Sequence, residues 1–258
     1  PQVPGNRNLH FPSSFFLPVR YGQQTVICLA IGNTCAHHTC MTFHRLVFAT
    51  FISLAPVAAQ ACDTALILTI DVSNSVDTVE YRLQTDGLAD ALQDPAIIDT
   101  MVAGGTTIAV VQWSGEDKQT VSIPWTQIRT ALDVQSLSQR ARQLERAFVL
   151  SDTAPGEAIL FSLKLFDQVP NCTRRVIDIS GDGTPNSGSD VRAARNLAER
   201  QGVTINAIAI ESMGLAITNF FRSAVITRNG FVMTARTHRE YPATLRAKIL
   251  REISRIFG

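Results

Sequence analysis

Residues 64–69 (TALILT) form a continuous apolar run rich in β-branched side chains. A run of this kind, apolar on both faces rather than alternating, is the pattern of a strand buried within a parallel sheet. It continues into Ile70-Asp71-Val72-Ser73-Asn74-Ser75, which places one carboxylate and two hydroxyls at the C-terminal end of the strand. Parallel neighbours need crossover connections, usually helical, so this one stretch restricts the chain to alternating strands and helices. In an open α/β sheet, ligands bind beyond the carboxyl ends of the strands. The same stretch therefore marks the edge where a site is expected.

The rest of the chain follows this pattern. Val79, Leu83, Leu88 and Leu92 form one side of a helix over 77–93, stopped by Asp94-Pro95. Strands are expected over 106–113 and 118–123, and the short turn 114–117 makes them an antiparallel hairpin with the second strand at the sheet edge. Helices follow over 132–148 and 156–168, then a strand over 174–180 and a loop of turn formers over 181–188. A helix over 189–201, capped by Ser189 or Asp190, precedes a strand over 203–210. A short helix (213–225), a strand (230–234) and a last helix (241–257) complete the chain. The expected fold class is α/β, a doubly wound, mostly parallel sheet with helices on both faces, forming one domain over 62–258.

The N-terminal part is different in kind. Residues 1–61 hold three arginines (Arg7, Arg20, Arg45) and neither lysine nor acid, so the remainder keeps 20 of the 23 basic residues against all 22 acidic ones. This slightly negative balance, without a Lys/Arg cluster interleaved with aromatics, argues against nucleic acid as a partner. With Met41 as a start, 41–45 is a short basic segment, 46–57 an apolar one, and Ala59-Gln60-Ala61 a small-x-small cleavage site. Together they predict a secretory signal peptide over 41–61 and a periplasmic or secreted protein. A transmembrane anchor competes with this reading, but the apolar run is shorter than the roughly 18 residues a spanning helix needs, so no membrane span is expected after cleavage. A lipoprotein signal also competes, since Cys62 follows the cleavage site, although no Leu-small-small pattern precedes it. Residues 1–40 lack an initiator Met and any periodicity, and are expected to be upstream read-through or disordered.

Three loops at one sheet edge carry oxygen donors: Asp71-x-Ser73-x-Ser75, Thr153 in Ser151-Asp152-Thr153-Ala154-Pro155-Gly156, and Asp182 in Ser180-Gly181-Asp182-Gly183. With these motifs in this order, the chain resembles the von Willebrand factor type A domain family, whose metal-ion-dependent adhesion site is Asp-x-Ser-x-Ser, then Thr, then Asp. The Cys-Asp-Thr-Ala start and the Arg-Arg-Val-Ile-Asp-x-Ser-Gly-Asp-Gly segment are closest to a bacterial group of secreted A-domain-like proteins of unknown function. The resemblance implies a six-stranded sheet in the order 3-2-1-4-5-6, with strand 3 antiparallel at the edge. It also implies Asp71, Ser73, Ser75, Thr153 and Asp182 as metal ligands, the two acids acting mostly through water. The Thr153 loop departs from the family in having Ser151-Asp152 where glycines are usual, and Asp152 adds a carboxylate that competes with the threonine or supplements it. Asn74 stands where glycine is commoner, with its side chain expected to face away from the ion.

The chemistry is consistent with a hard cation, Mg²⁺ or else Mn²⁺ or Ca²⁺, which takes oxygen ligands and, for Mg²⁺, keeps several waters. With few direct carboxylate bonds the ion retains a positive field, and an open position favours an Asp or Glu of a partner protein. A non-enzymatic binding module is the first functional reading. The alternative is a metal-dependent hydrolase of phosphate esters with Asp71 or Ser73 as nucleophile. Beyond residue 61 the only histidine is His238, expected at the surface, so neither a zinc cluster nor a Ser-His-Asp arrangement is indicated. The strand order implied by the resemblance makes strands 1 and 4 neighbours, so Cys62 and Cys172 are expected to form a disulfide. Asp178, inside a strand, is expected to be a buried acid paired with Arg174, Arg175 or a backbone amide. Phe220 and Phe221, near Met213, are read as either core or rim of the site.

Overall fold

The computed structural model describes residues 62–254, apart from Pro170 and Met213. The expected upstream segment 1–40, the signal peptide 41–61 and the last turn of the final helix lie outside these residues. Six strands form, β1 (Cys62–Asp71), β2 (Thr107–Trp113), β3 (Gln119–Gln127), β4 (Cys172–Gly181), β5 (Val203–Ile210) and β6 (Val232–Ala235). They make one sheet in the order β3-β2-β1-β4-β5-β6, antiparallel between β2 and β3 and parallel elsewhere. The expected order and the antiparallel edge strand are both present.

Seven α-helices accompany the strands among the described residues: α1 (Thr78–Ala91), α2 (Pro95–Ala103), α3 (Ala131–Arg142), α4 (Pro155–Leu165), α5 (Val191–Arg200), α6 (Ala216–Phe220) and α7 (Tyr241–Ile253). Pleating sends Leu66, Leu68 and Ile70 of β1 into a core with α1, α2, α3 and α7, while Ala65 and Ile67 enter a second core with α4 and α5. Both faces of the central strand are therefore buried, which explains why its apolar run does not alternate.

Two helices differ from the sequence expectation. Asp94-Pro95 stops α1 but also starts α2, because Asp94 accepts from the Ala96 and Ile97 N–H groups and Pro95 sits in the first turn, where a missing N–H costs nothing. Helix α3 ends at Arg142 instead of near 148. The backbone beyond it is hydrogen-bonded to side chains of other elements: Arg82 donates to Leu144 O, Gln112 donates to Glu145 O, and Ala147 N donates to Gln112 Oε1. These bonds replace the helical ladder for this segment. Phe221 packs wholly inside the second core, and Phe220 packs half-buried against it.

Cys62 and Cys172 face each other in the β1–β4 register and are joined as a disulfide, with their Cα atoms 4.5 Å apart. Asp178 is buried, as expected, but its partner is not an arginine. The Nζ of fully buried Lys248 on α7 lies 2.5 Å from Asp178 Oδ1 and 2.6 Å from Glu252 Oε1, and Asn206 donates to the same Glu252 oxygen at 2.8 Å. Lys248 and Glu252 are one helical turn apart, so α7 carries both the cation and the second acid. Residue spacing around Asp178 gave no hint of a lysine so distant in sequence.

Burial, and then the Glu252 carboxylate, push the Asp178 carboxyl up to about 7 against the pull of Lys248. The folded chain thus keeps a proton that the unfolded chain loses near 3.8, the ordinary value. Stability contributed by this proton is present below about pH 4 and is lost as pH rises towards 7. Urea unfolding at intervals across that window is expected to show a falling midpoint, and Asp178→Asn is expected to reduce the slope.

Candidate metal centre

Asp71 ends β1, and Gly181 ends β4, so Asp71 and Asp182 leave adjacent parallel strands at the same sheet edge. Asp71 is fully buried, and its Oδ1 accepts from the Ser73 N–H at 2.8 Å, which folds the chain so that Ser73 and Ser75 turn back over the strand end. The Ser73 and Ser75 hydroxyls lie 3.1 Å apart, and Ser75 donates to Asp182 Oδ1 at 2.6 Å. Gly181 leaves room here, since a Cβ at that position would lie 3.0 Å from Asp71 Oδ2 and 3.3 Å from the Trp113 and Phe221 rings, so that these side chains would have to give way.

The Thr153 loop reaches the same place by backbone pairing. Ala154 N donates to Ser114 O beyond β2, Thr153 N donates to Asn186 Oδ1 at 2.8 Å, and Asn186 N returns a bond to Thr153 O. Gly156 allows α4 to start directly against the 189 backbone, where a Cβ would come within 2.3 Å of Ser189 O. Thr153 then faces the Asp182 loop, its Oγ1 lying 3.7 Å from where a Cβ on Gly183 would stand. Arg146 supports the first loop from behind, donating to Val72 O and Ser73 O at 2.9 Å each. All five candidate ligands are thereby gathered at one edge. Asp152 and Asn74 are exposed, and both line a cavity of about 660 Å³ beside them, with Glu116, Asp117, Lys118 and Leu150.

The electrostatics suit a cation. Burial first, and Asp182 second, push the Asp71 carboxyl up to about 7 against the pull of Ser73 and the Asp182 backbone N–H, and its buried Oδ2 has no partner in hydrogen-bond geometry. A buried acceptor left in this way is costly unless something positive or protic meets it. Among the described residues, no three His, Cys, Asp or Glu side chains converge on one point, so a cation here depends on the three hydroxyls as well as the acids.

His238 is not the surface residue its sequence context suggested. Its side chain is 12% exposed and lies between two acids, with Nδ1 3.0 Å from Glu80 Oε1 and Nε2 3.8 Å from Asp182 Oδ2. Glu80 holds its place through a capping box with Asp77 at the start of α1. Only the packing of the turn His238–Glu240 beside α1 brings the imidazole to the edge of the centre, and the local sequence carries no sign of it.

This sheet order and the position of the loops define a von Willebrand factor type A fold. Among solved structures, the chain is similar to proximal thread matrix protein 1 from the mussel byssus, in a form with a zinc-occupied MIDAS motif, at 18% identity and a TM-score of 0.58 over 76% of this chain and 49% of that one. It is similar to the pilus adhesin SpaC from Lactobacillus rhamnosus GG at 10% identity and a TM-score of 0.55, over 75% and 31% of the two chains. A von Willebrand factor type A protein from Catenulispora acidiphila matches at 18% identity and a TM-score of 0.52, over 75% and 42%. The chain spans about half the length of these proteins or less. A comparison with curated protein sequences finds no match. The particular family is one described as a protein of unknown function, DUF1194, and the chain belongs to it over residues 61–257.

Proposed function

We propose that the protein is a non-enzymatic binding module, periplasmic or secreted, that holds a divalent ion through Asp71, Ser73, Ser75, Thr153 and Asp182 and uses it to engage an acidic side chain of a partner protein. The observation that carries this reading is the orphaned, fully buried Asp71 Oδ2 beside Asp182, with the hydroxyls of Ser73 and Ser75 beside them and Thr153 facing the Asp182 loop. These five oxygen donors by themselves suit Mg²⁺, with Mn²⁺ or Ca²⁺ as substitutes. When bound, the ion would supply a Lewis-acidic position for an anionic ligand. The disulfide between Cys62 and Cys172 accords with an oxidising compartment. Among the described residues no helix is long and apolar enough to cross a membrane.

The adjoining cavity shapes what kind of partner fits. Three acids, Glu116, Asp117 and Asp152, line it beside Lys118 alone, and exposed Leu150 stands on its wall. A partner carboxylate with basic and apolar neighbours meets both the ion and this wall.

Titration calorimetry with Mg²⁺ and Mn²⁺ tests the reading. The wild-type protein is expected to bind one ion, and Asp71→Asn to weaken binding by at least about tenfold, since a single lost ligand interaction of roughly 1.4 kcal/mol corresponds to that factor. A screen with phosphate esters runs beside it. Metal-stimulated turnover lost in Asp71→Asn would replace the binding reading with the hydrolase.

A further inference from the structure

We infer that His238 is a specificity-determining residue of the metal centre, giving it a nitrogen donor that favours borderline transition ions such as Zn²⁺ over Mg²⁺. This rests on the metal-centre reading above and adds to it a residue outside the Asp-x-Ser-x-Ser, Thr, Asp set.

The inference starts from the two sides of the imidazole. Nδ1 lies 3.0 Å from Glu80 Oε1, and a carboxylate can only accept, so this contact is favourable only with a proton on Nδ1. In the neutral ring this leaves the lone pair on Nε2. That nitrogen is buried and has no hydrogen-bond partner, and it faces Asp182 Oδ2 at 3.8 Å. Two electron-rich atoms in this position repel each other unless a proton or a metal cation lies between them. The gap is too long for a hydrogen bond. It is shorter than about 4.0–4.3 Å, the combined reach of a zinc–nitrogen and a zinc–oxygen bond, as a bent bridge between the two atoms requires.

The same side chains form a continuous polar chain into the centre. Glu80 orients His238, His238 faces Asp182, Asp182 accepts from Ser75, and Ser75 meets Ser73. A carboxylate behind a metal-facing histidine fixes its tautomer and raises the basicity of the free nitrogen. Imidazole suits zinc, nickel and copper, whereas a set of oxygens alone suits magnesium, calcium and manganese. One nitrogen added to an oxygen site therefore changes the order in which ions bind.

The test is calorimetric titration of the full chain with Zn²⁺ and with Mg²⁺, in wild type, His238→Ala and His238→Gln. Zinc bound by the combined Asp71→Asn, Asp182→Asn and His238→Ala variant, which lacks both acids of the centre and the added nitrogen, measures uptake elsewhere on the chain and is subtracted. Replacing His238 is expected to weaken Zn²⁺ binding about 10- to 100-fold, while Mg²⁺ binding, which also reports that the variants are folded, stays within about threefold. The visible absorption of the Co²⁺ complex is expected to change with the loss of nitrogen. Zinc binding unchanged in both variants would overturn the inference, as would an equal loss of zinc and magnesium in both, because that would make His238 a support for the loop rather than a donor. A wild-type chain that binds neither ion would overturn the metal-centre reading itself, and this inference with it.

Discussion

Lys248→Met is expected to destabilise the fold by about 3–5 kcal/mol, the usual consequence of removing one partner from a buried ion pair. The lysine is fully buried, and Asp178 and Glu252 each place an oxygen within 2.6 Å of its Nζ. Without it, Glu252 is left in the core with no cation, Asp178 holds its proton to still higher pH, and either Glu252 takes up a proton too or the helix carrying it moves out towards water. The effect reaches across the molecule because Asp178 belongs to β4 and Lys248 to α7, so the pair ties the last helix to the middle of the sheet. Urea denaturation read by circular dichroism measures the loss directly. Replacing all three residues at once by apolar ones of similar size, as in Lys248→Met with Asp178→Leu and Glu252→Leu, is expected to restore most of it, because no charge then remains to be desolvated. A single Lys248→Met variant within about 1 kcal/mol of wild type would show that the triad carries no such charge pairing.

Cys62→Ala with Cys172→Ala is expected to cost about 2–5 kcal/mol. The two cysteines are 110 residues apart, so the bond closes a long loop in the unfolded chain, and in the chain-entropy treatment closing about 100 residues is worth close to 4.7 kcal/mol. In the folded state the cysteines are already neighbours in the β1–β4 register, so little has to change for the bond to form. The same loss is expected on adding reductant to the wild-type protein, and alkylation followed by mass spectrometry reports which state is present. Free thiols at both positions without reductant, or equal midpoints with and without it, would remove this bond from the account of stability.

Much of the architecture is legible locally. Strand β1 is recognisable because both its faces are apolar, and β5 and α5 because strand and helix periodicities are short-range properties of the chain. Helix boundaries are less legible. Asp94-Pro95 looks like a stop and serves equally as a start, since an acid followed by proline is good helix N-terminal chemistry. The end of α3 is decided elsewhere, by Gln112 of β2 and Arg82 of α1, whose side chains take the backbone groups that a longer helix would have used.

The candidate centre divides along the same line. The sequence by itself determined that Asp71, Ser73 and Ser75 would stand at a strand end, and that Thr153 and Asp182 would begin or follow elements facing the same edge. That much follows from the hydrophobic pattern and from the rule that parallel strands share one carboxyl edge. Only the tertiary structure decided that His238 would sit between Glu80 and Asp182, that Arg146 would hold the first loop, and that Lys248 would meet Asp178. Each of those contacts joins residues remote in sequence. Their direction is set by how a helix or turn packs on the sheet, and no local periodicity encodes that.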